Sequence, residues 1–331
     1  MNPPAVEGPY FEDLTVGQVF ATAPGITLWP ALAAAHQAIT GDRLALDLDV
    51  PLCHEVTGGP QLVSPALAWD VAIGQSTIVT QHVKANLFYR GLAFRRLPRI
   101  GDTLRTTTTV DGLRQNRSRP GRAPTGLAAL RITTVDQDSR PVLDFWRCAM
   151  LPLRDPDGQT GHADFLDAVG ESLSPRGLAA LVGGWRLDCL ARRAGGSRLP
   201  ALAAGQSFEV AGGDVVTSGP ELARLTLNIA AVHHDSAAAG GRRLVYGGHA
   251  IGLALTQAAR AIPTIATIAG WHGCDHLGPV HEGDTLRSTI TVEQVDPLPG
   301  AGALVHLRSQ LRADAPEPRA VLDWRYVAVV A

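Results

Sequence analysis

Gly101-Asp102-Thr103-Leu104-Arg105 occurs a second time, unchanged, as Gly283-Asp284-Thr285-Leu286-Arg287. Two further pairs keep the same order around it. Gly17-Gln18-Val19-Phe20 returns as Gly205-Gln206-Ser207-Phe208, and Val142-Leu143-Asp144-Phe145-Trp146-Arg147 returns as Val321-Leu322-Asp323-Trp324-Arg325. The offsets of 182, 188 and 179 residues differ only by small insertions. Solenoid units run roughly 20–50 residues, so this period marks two tandem copies of one domain. A chain of 331 residues has room for two domains of about 150 each. The division reads as 1–153, a linker over 154–200, and 201–331.

Working outward from the repeat, each copy shows the same succession. A turn and short strand come first (Val16 to Phe20; Gly205 to Val210), then a polar-to-apolar stretch (Ile26 to Gly41; Val216 to His233). A turn next opens an apolar helix. In the first copy this is Ser64-Pro65 leading into Ala66 to Ile73, with proline suited to a first turn; in the second, Gly247-Gly248-His249 leads into Ala250 to Arg260. The second helix is apolar nearly all round, which marks it as buried. The periodicity then changes to strands at Thr103 to Val110, Leu127 to Val135 and Val142 to Leu151. Thr285 to Val292, Leu304 to Leu311 and Val321 to Val330 repeat them. Arg114 to Gly126 is a basic hairpin connection, and short helices are expected in the linker at Ala163 to Val169 and Leu178 to Leu190. One long helix with several antiparallel strands per copy gives an α+β class, two sheets side by side, each wrapped on its helix.

Composition excludes several functions. Lys+Arg 29 against Asp+Glu 31 leaves a net charge of −2, too little for a field that draws nucleic acid or an anionic membrane. Cys53, Cys148, Cys189 and Cys274 are far apart, with neither disulfide nor zinc spacing. No stretch approaches the apolar length of a membrane span, and the N-terminus lacks a signal-peptide pattern, so a cytoplasmic protein is expected. His272, Cys274, Asp275, His276 and His281 match no metal pattern, since a strand would send neighbours to opposite faces. No metal is expected.

PYFEDLTVGQVF, GDTLR and the RQNRSRPGR…VLDF tail of the first copy, with LNIAAVHHD…RLVYGG of the second, resemble the MaoC-like dehydratases. These are hotdog-fold proteins related to type 2 (R-specific) enoyl-CoA hydratases. The resemblance implies a double hotdog over nearly the whole chain, an acyl-CoA thioester as substrate, no cofactor, and a homodimer as a permitted assembly. TLNIAAVHHD, RLVYGGH and AIPTIATIAGWHGCDHLGPVHEGDTLR are most similar to the mesaconyl-CoA (2-methylfumaryl-CoA) hydratase branch. That implies a short branched dicarboxylic acyl group.

The family signature, Gly-Asp-x-Asn-Pro-x-His, uses an aspartate and a histidine five residues apart to activate water. Here the second copy has His233 at the histidine position and Asn228 at the aspartate position. The first copy has Asp42 at the aspartate position and Asp47 where histidine belongs, so it reads as degenerate. Asn228 can hold water but cannot take its proton. Either His233 carries the acid–base work, or a neighbouring carboxylate, Asp235, stands in. Gly247 takes the place of the family glycine whose N–H binds the thioester oxygen at a helix N-terminus. A plain tight turn at Gly247-Gly248 is the alternative. Tyr246, Gly248 and His249 flank the site, with His249 either entering the pocket or capping the turn. His276 is placed to meet a polar acyl carboxylate. Arg242 and Arg243 suit either solvent or the CoA phosphates. Arg90, Arg95, Arg96 and Arg99 read as a solvated basic run. A thioesterase, a biosynthetic dehydratase on an unusual substrate, and a non-catalytic acyl-CoA-binding protein remain as alternative readings.

Overall fold

Each copy of the repeat lays one largely apolar, buried helix on antiparallel strands. The computed structural model describes residues 7–118, 120–195, 202–314 and 317–331. Arg119 of the basic connection, residues 196–201 where the linker meets the second copy, and the first six residues lie outside these. The first copy runs β1 (Val19–Phe20), β2 (Ile26–Thr27), α1 (Pro30–Thr40), α2 (Ala45–Leu48), α3 (Val50–Thr57), α4 (Pro65–Gln75), β3 (Ala85–Phe94), β4 (Thr103–Gln115), β5 (Thr125–Val135) and β6 (Pro141–Pro152). The linker holds α5 (Pro175–Ala180) and α6 (Leu187–Arg193). The second copy runs β7 (Ser207–Glu209), β8 (Asp214–Val215), α7 (Gly219–Leu225), α8 (Gly247–Ala261), β9 (Ile265–His276), β10 (Thr285–Pro297), β11 (Ala303–Asp314) and β12 (Arg319–Val330).

The repeated pentapeptide does the same work twice. Gly101 (φ 97°) and Gly283 (φ 88°) take the left-handed turn that a side chain disfavours. The next residue closes it: Asp102 Oδ2 accepts from Arg99 N at 2.8 Å, and Asp284 Oδ2 from His281 N at 2.9 Å. Leu104 and Leu286 then face inward, fully buried. Their carbonyls accept from Gln75 Nε2 and Gln257 Nε2, each at 3.0 Å. Strand entry and helix end are therefore tied together identically in both copies.

The strands form one continuous antiparallel sheet in the order β1-β4-β5-β6-β3-β9-β12-β11-β10-β7, with β2 on β4 and β8 on β10. The expectation of two adjacent sheets is corrected here. β3 and β9 pair at the centre, with Tyr89 opposite Cys274 and Leu92 opposite Trp271. The pairing satisfies backbone groups that two separate edges would leave open. The reading of the basic run on and beyond β3 as solvated is corrected only in part, because Arg95 stays exposed while Arg90 and Arg96 are half-buried in ion pairs. Arg90 pairs with Asp275 across the junction at 2.6 Å, Arg95 with Asp144 at 3.0 Å, and Arg96 with Asp102 at 3.0 Å.

The two long helices are packed between the copies. A Cβ on Gly74 would lie 1.8 Å from the Thr226 carbonyl oxygen, and Thr256 Oγ1 donates to the Thr40 carbonyl at 2.8 Å. Trp69 of α4 meets Trp271 of β9 edge to face at 4.8 Å between centroids, so the first helix is anchored on strands of the second copy. The linker differs from expectation. Ala163 bridges to Arg114, with no helix over 163–169, and the helix expected over 178–190 is split at Gly183-Gly184 into α5 and α6. No helix among the described residues is long and apolar enough to cross a membrane.

Candidate active site

The N-terminus of α8 opens into a cavity of about 290 Å³ between the copies. Tyr246 is its N-cap and makes no side-chain cap, so the first N–H groups of this 15-residue helix are left without the usual acceptor. The helix dipole adds positive potential there. Gly247 lies on the cavity wall, where a Cβ would come within 2.8 Å of His276 Cε1. Only glycine lets that imidazole sit so near the helix end.

His233 ends a short 3₁₀ turn, Ala231–His233, beside the helix end. Its Nδ1 lies 2.9 Å from the Leu244 carbonyl, which can only accept, so Nδ1 carries the proton and Nε2 has its lone pair free. The ring also packs against Tyr246, with centroids 5.8 Å apart. Burial pushes the His233 pKa down to about 4. Asn228 is buried on the same wall, and its Oδ1 accepts from Ala230 N at 2.9 Å. The residue before it, Leu227, is held at φ 62°, a strained conformation for a side chain of its size.

Other expected site residues divide. His276 lines the cavity, its Nε2 buried with no partner, and burial pushes its pKa down to about 4. Tyr246 lines it too, while its hydroxyl donates to the Asp70 carbonyl at 2.8 Å. Gly248 and His249 do not form its wall. A Cβ on Gly248 would lie 1.9 Å from Asp70 Oδ1, so that glycine serves helix packing. His249 points into the protein interior, both ring nitrogens buried and unpartnered. Asp235 is exposed and turned onto its own loop, accepting from Ala237 N at 2.8 Å. It is not on the cavity wall, and its local turn explains why. Arg242 and Arg243 also lie off the wall, on the surface, and bind Glu282: Arg242 donates to its carbonyl at 3.2 Å, Arg243 to its carboxylate at 3.1 Å. No group of three or more His, Cys, Asp or Glu side chains among the described residues is arranged to hold a metal ion.

The first copy supplies a large share of the wall, and sequence reasoning missed it: Ile73, Thr77, Val83 to Leu87, Tyr89 and Arg147. One signal was readable. On a period-two strand Arg147 shares its face with the core residues Phe145 and Ala149, an unusual place for a charge. The repeat as aligned in the sequence sets Arg147 against Arg325, and the sheet register corrects this. Asp144 faces Thr133 and Arg147 faces Leu130; Asp323 faces Gln310 and Tyr326 faces Leu307. Tyr326 is therefore the counterpart of Arg147, and Arg325 turns outward to Glu293.

Among solved structures, a conserved hypothetical protein from Mycobacterium tuberculosis with a double hotdog fold is 52% identical, covering 97% of this chain and 98% of that one, with a TM-score of 0.91. A putative MaoC domain protein dehydratase from Chloroflexus aurantiacus is 25% identical over 99% of both chains, with a TM-score of 0.85. Among curated proteins, the beta-methylmalyl-CoA dehydratase of Chloroflexus aurantiacus is 26% identical, covering 98% of this chain and 97% of its own length. The mesaconyl-CoA hydratase of Cereibacter sphaeroides is 28% identical, covering 90% and 87%. No protein-family model matches the chain.

Proposed function

The chain belongs to the MaoC-like double-hotdog family, and from that premise we propose that it is a hydro-lyase interconverting an enoyl-CoA and its 3-hydroxyacyl-CoA. The observation that carries this reading is the convergence, on one cavity, of an uncapped helix N-terminus at Gly247 and a neutral His233 with Nε2 free. In the dehydration direction, Nε2 takes the proton from C2 as the thioester oxygen becomes an enolate, held by the Gly247 N–H. The imidazolium then gives that proton to the hydroxyl at C3. The C3–O bond breaks, the enolate pair forms the double bond, and water leaves. Asn228 cannot accept a proton, so it holds the departing water while one imidazole serves as base and then acid. A histidine whose pKa lies near 4 is a strong acid once protonated, which favours the second half of this cycle. His276, its Nε2 unpartnered, and Tyr246 and Tyr89 close the cavity around the reacting carbons.

The dehydratase and hydratase relatives, by their names, act on a hydroxy dicarboxylic acyl-CoA and on its dehydrated counterpart. We take a short branched dicarboxylic acyl group as the substrate here. Incubation with mesaconyl-CoA, and separately with beta-methylmalyl-CoA, tests the reaction by mass spectrometry. Gain and loss of one water, reaching the same mixture from both sides, is the expected result. Release of free CoA would instead identify a thioesterase, and tight binding without conversion a non-catalytic acyl-CoA-binding protein.

A further inference from the structure

We propose that Arg147, contributed by the copy without the histidine, anchors a carboxylate at the far end of the acyl chain and so selects dicarboxylic over monocarboxylic acyl-CoA. This rests on the acyl-CoA reading above but not on turnover. Arg147 is 3% exposed and lines the cavity. No carboxylate oxygen among the described residues lies within ion-pair distance of it. Its hydrogen-bond partners are neutral: Nη2 donates to Thr80 Oγ1 at 2.6 Å and to the Ser76 carbonyl at 3.3 Å, while Nε is buried with none. Asp70, the buried acid of α4, is bonded instead to His36 Nε2 at 2.9 Å.

A buried guanidinium is normally paired, because removing a charge from water is costly and arginine does not escape by losing its proton. A cation left unpaired on a cavity wall is therefore suited to an anion that arrives with the ligand, and its planar fork matches a carboxylate. Location distinguishes the carboxylate from the CoA phosphates. The other cation on the wall, Lys84, is exposed, as are Leu277 and Pro279, so these mark the mouth. Arg147 belongs to the deeply buried part of the wall, as do Ile73 and Thr77. With the thioester at Gly247, the nucleotide would run outward past Lys84 and the acyl chain inward to Arg147. In the second copy the corresponding residue is Tyr326, neutral and bonded to Ser309 at 3.1 Å.

Two non-reacting ligands, succinyl-CoA and butyryl-CoA, test this by calorimetry on the wild-type protein and on Arg147→Met and Arg147→Lys. The wild type should prefer succinyl-CoA. Arg147→Met should reduce that preference by about 10–150-fold, the loss of a hydrogen-bonded charge pair, and Arg147→Lys should restore part of it. A wild type that favours butyryl-CoA overturns the proposal whatever the variants do. So does an equal loss for both ligands, which would make Arg147 only a strut to Ser76 and Thr80. Arg147-dependent succinyl-CoA binding without turnover of any enoyl-CoA would sink the hydro-lyase reading and leave the anchor standing. Turnover of mesaconyl-CoA and crotonyl-CoA with a ratio that Arg147→Met does not move would do the reverse.

Discussion

The two copies build the same backbone around opposite chemistry. Asp42 Oδ1 accepts from Leu44 N at 3.0 Å, as Asn228 Oδ1 accepts from Ala230 N at 2.9 Å. Asp47 N donates to the Leu44 carbonyl at 3.1 Å, as His233 N does to the Ala230 carbonyl at 3.0 Å. The shared glutamine bonds set Pro65 of α4 in the place of Gly247 of α8. Proline has no N–H to offer an oxyanion, and Ser64 already caps that helix by accepting from Ala66 N. Even the turn before the site differs, with Gly41 (φ 71°) where the second copy strains Leu227. The first copy thus relaxes its backbone and blocks its helix end, while still lending a wall to its neighbour's cavity. On the proposed reaction, duplication separates chemistry from containment.

The sharpest way to break this contrast is to remove the histidine. His233→Ala should lower kcat by about 10²–10⁴-fold, and Asp47→Ala should cause no comparable loss of rate. With His233 as the proposed neutral base, the wild-type kcat/KM profile should be flat through neutrality and fall only as the pH approaches about 4. An acid limb near the ordinary histidine pKa would contradict its burial.

Writing the first copy's proline into the second is the next test. Gly247→Pro should cost about 10²–10³-fold in kcat, as for loss of one oxyanion donor. Gly247→Ala keeps the N–H but crowds His276, so comparing the two in steady-state kinetics isolates the donor. Equal rates for both would show that this N–H does not face the thioester.

Asn228→Asp copies Asp42 and should have a smaller effect. The new carboxylate should repel a dicarboxylic substrate by roughly tenfold in kcat/KM, about 1.4 kcal/mol, and move the acid limb of His233 upward. Crotonyl-CoA, with no second carboxylate, should suffer less. A rate unchanged on both substrates would mean that residue 228 does not face the reacting carbons.

The smallest effect concerns stability. Asp47 buries both carboxyl oxygens without a partner, and burial pushes its pKa well above the carboxylate range, with Asp42 adding to the rise. The native state then keeps a proton that the unfolded state releases near pH 4, so this group lowers stability as pH rises from about 4 toward its raised native pKa. Asp47→Asn removes the penalty. Denaturant melts should show a gain of about 1 kcal/mol at pH 7 that fades toward pH 4.

Local chemistry explains what could be read early. Period-two alternation around Thr103 to Val110 and Thr285 to Val292, the Gly-Asp turn before each, and the apolar runs of α4 and α8 are properties of neighbouring residues, and each formed where the pattern placed it. His233, Asn228 and Gly247 were picked out by the family resemblance rather than by spacing, and the structure brings all three onto one cavity wall. Asp235 was legible only as a residue type. Its neighbouring Ala237 N–H took the carboxylate away from the cavity. His249 likewise sits two residues from the wall-forming helix end and still points into the core.

The sequence by itself determined two α+β copies and the short segments that bear the candidate histidine, amide and helix end. Tertiary structure alone decided that β3 and β9 join them into one sheet, that Arg147 and Tyr89 of one copy line the shared cavity, and that Arg147 meets no acid there among the described residues. Strand pairing across some 185 residues, as at Tyr89 and Cys274, leaves no local period to read. An unpaired charge is a fact about its surroundings, which exist only once the chain has folded.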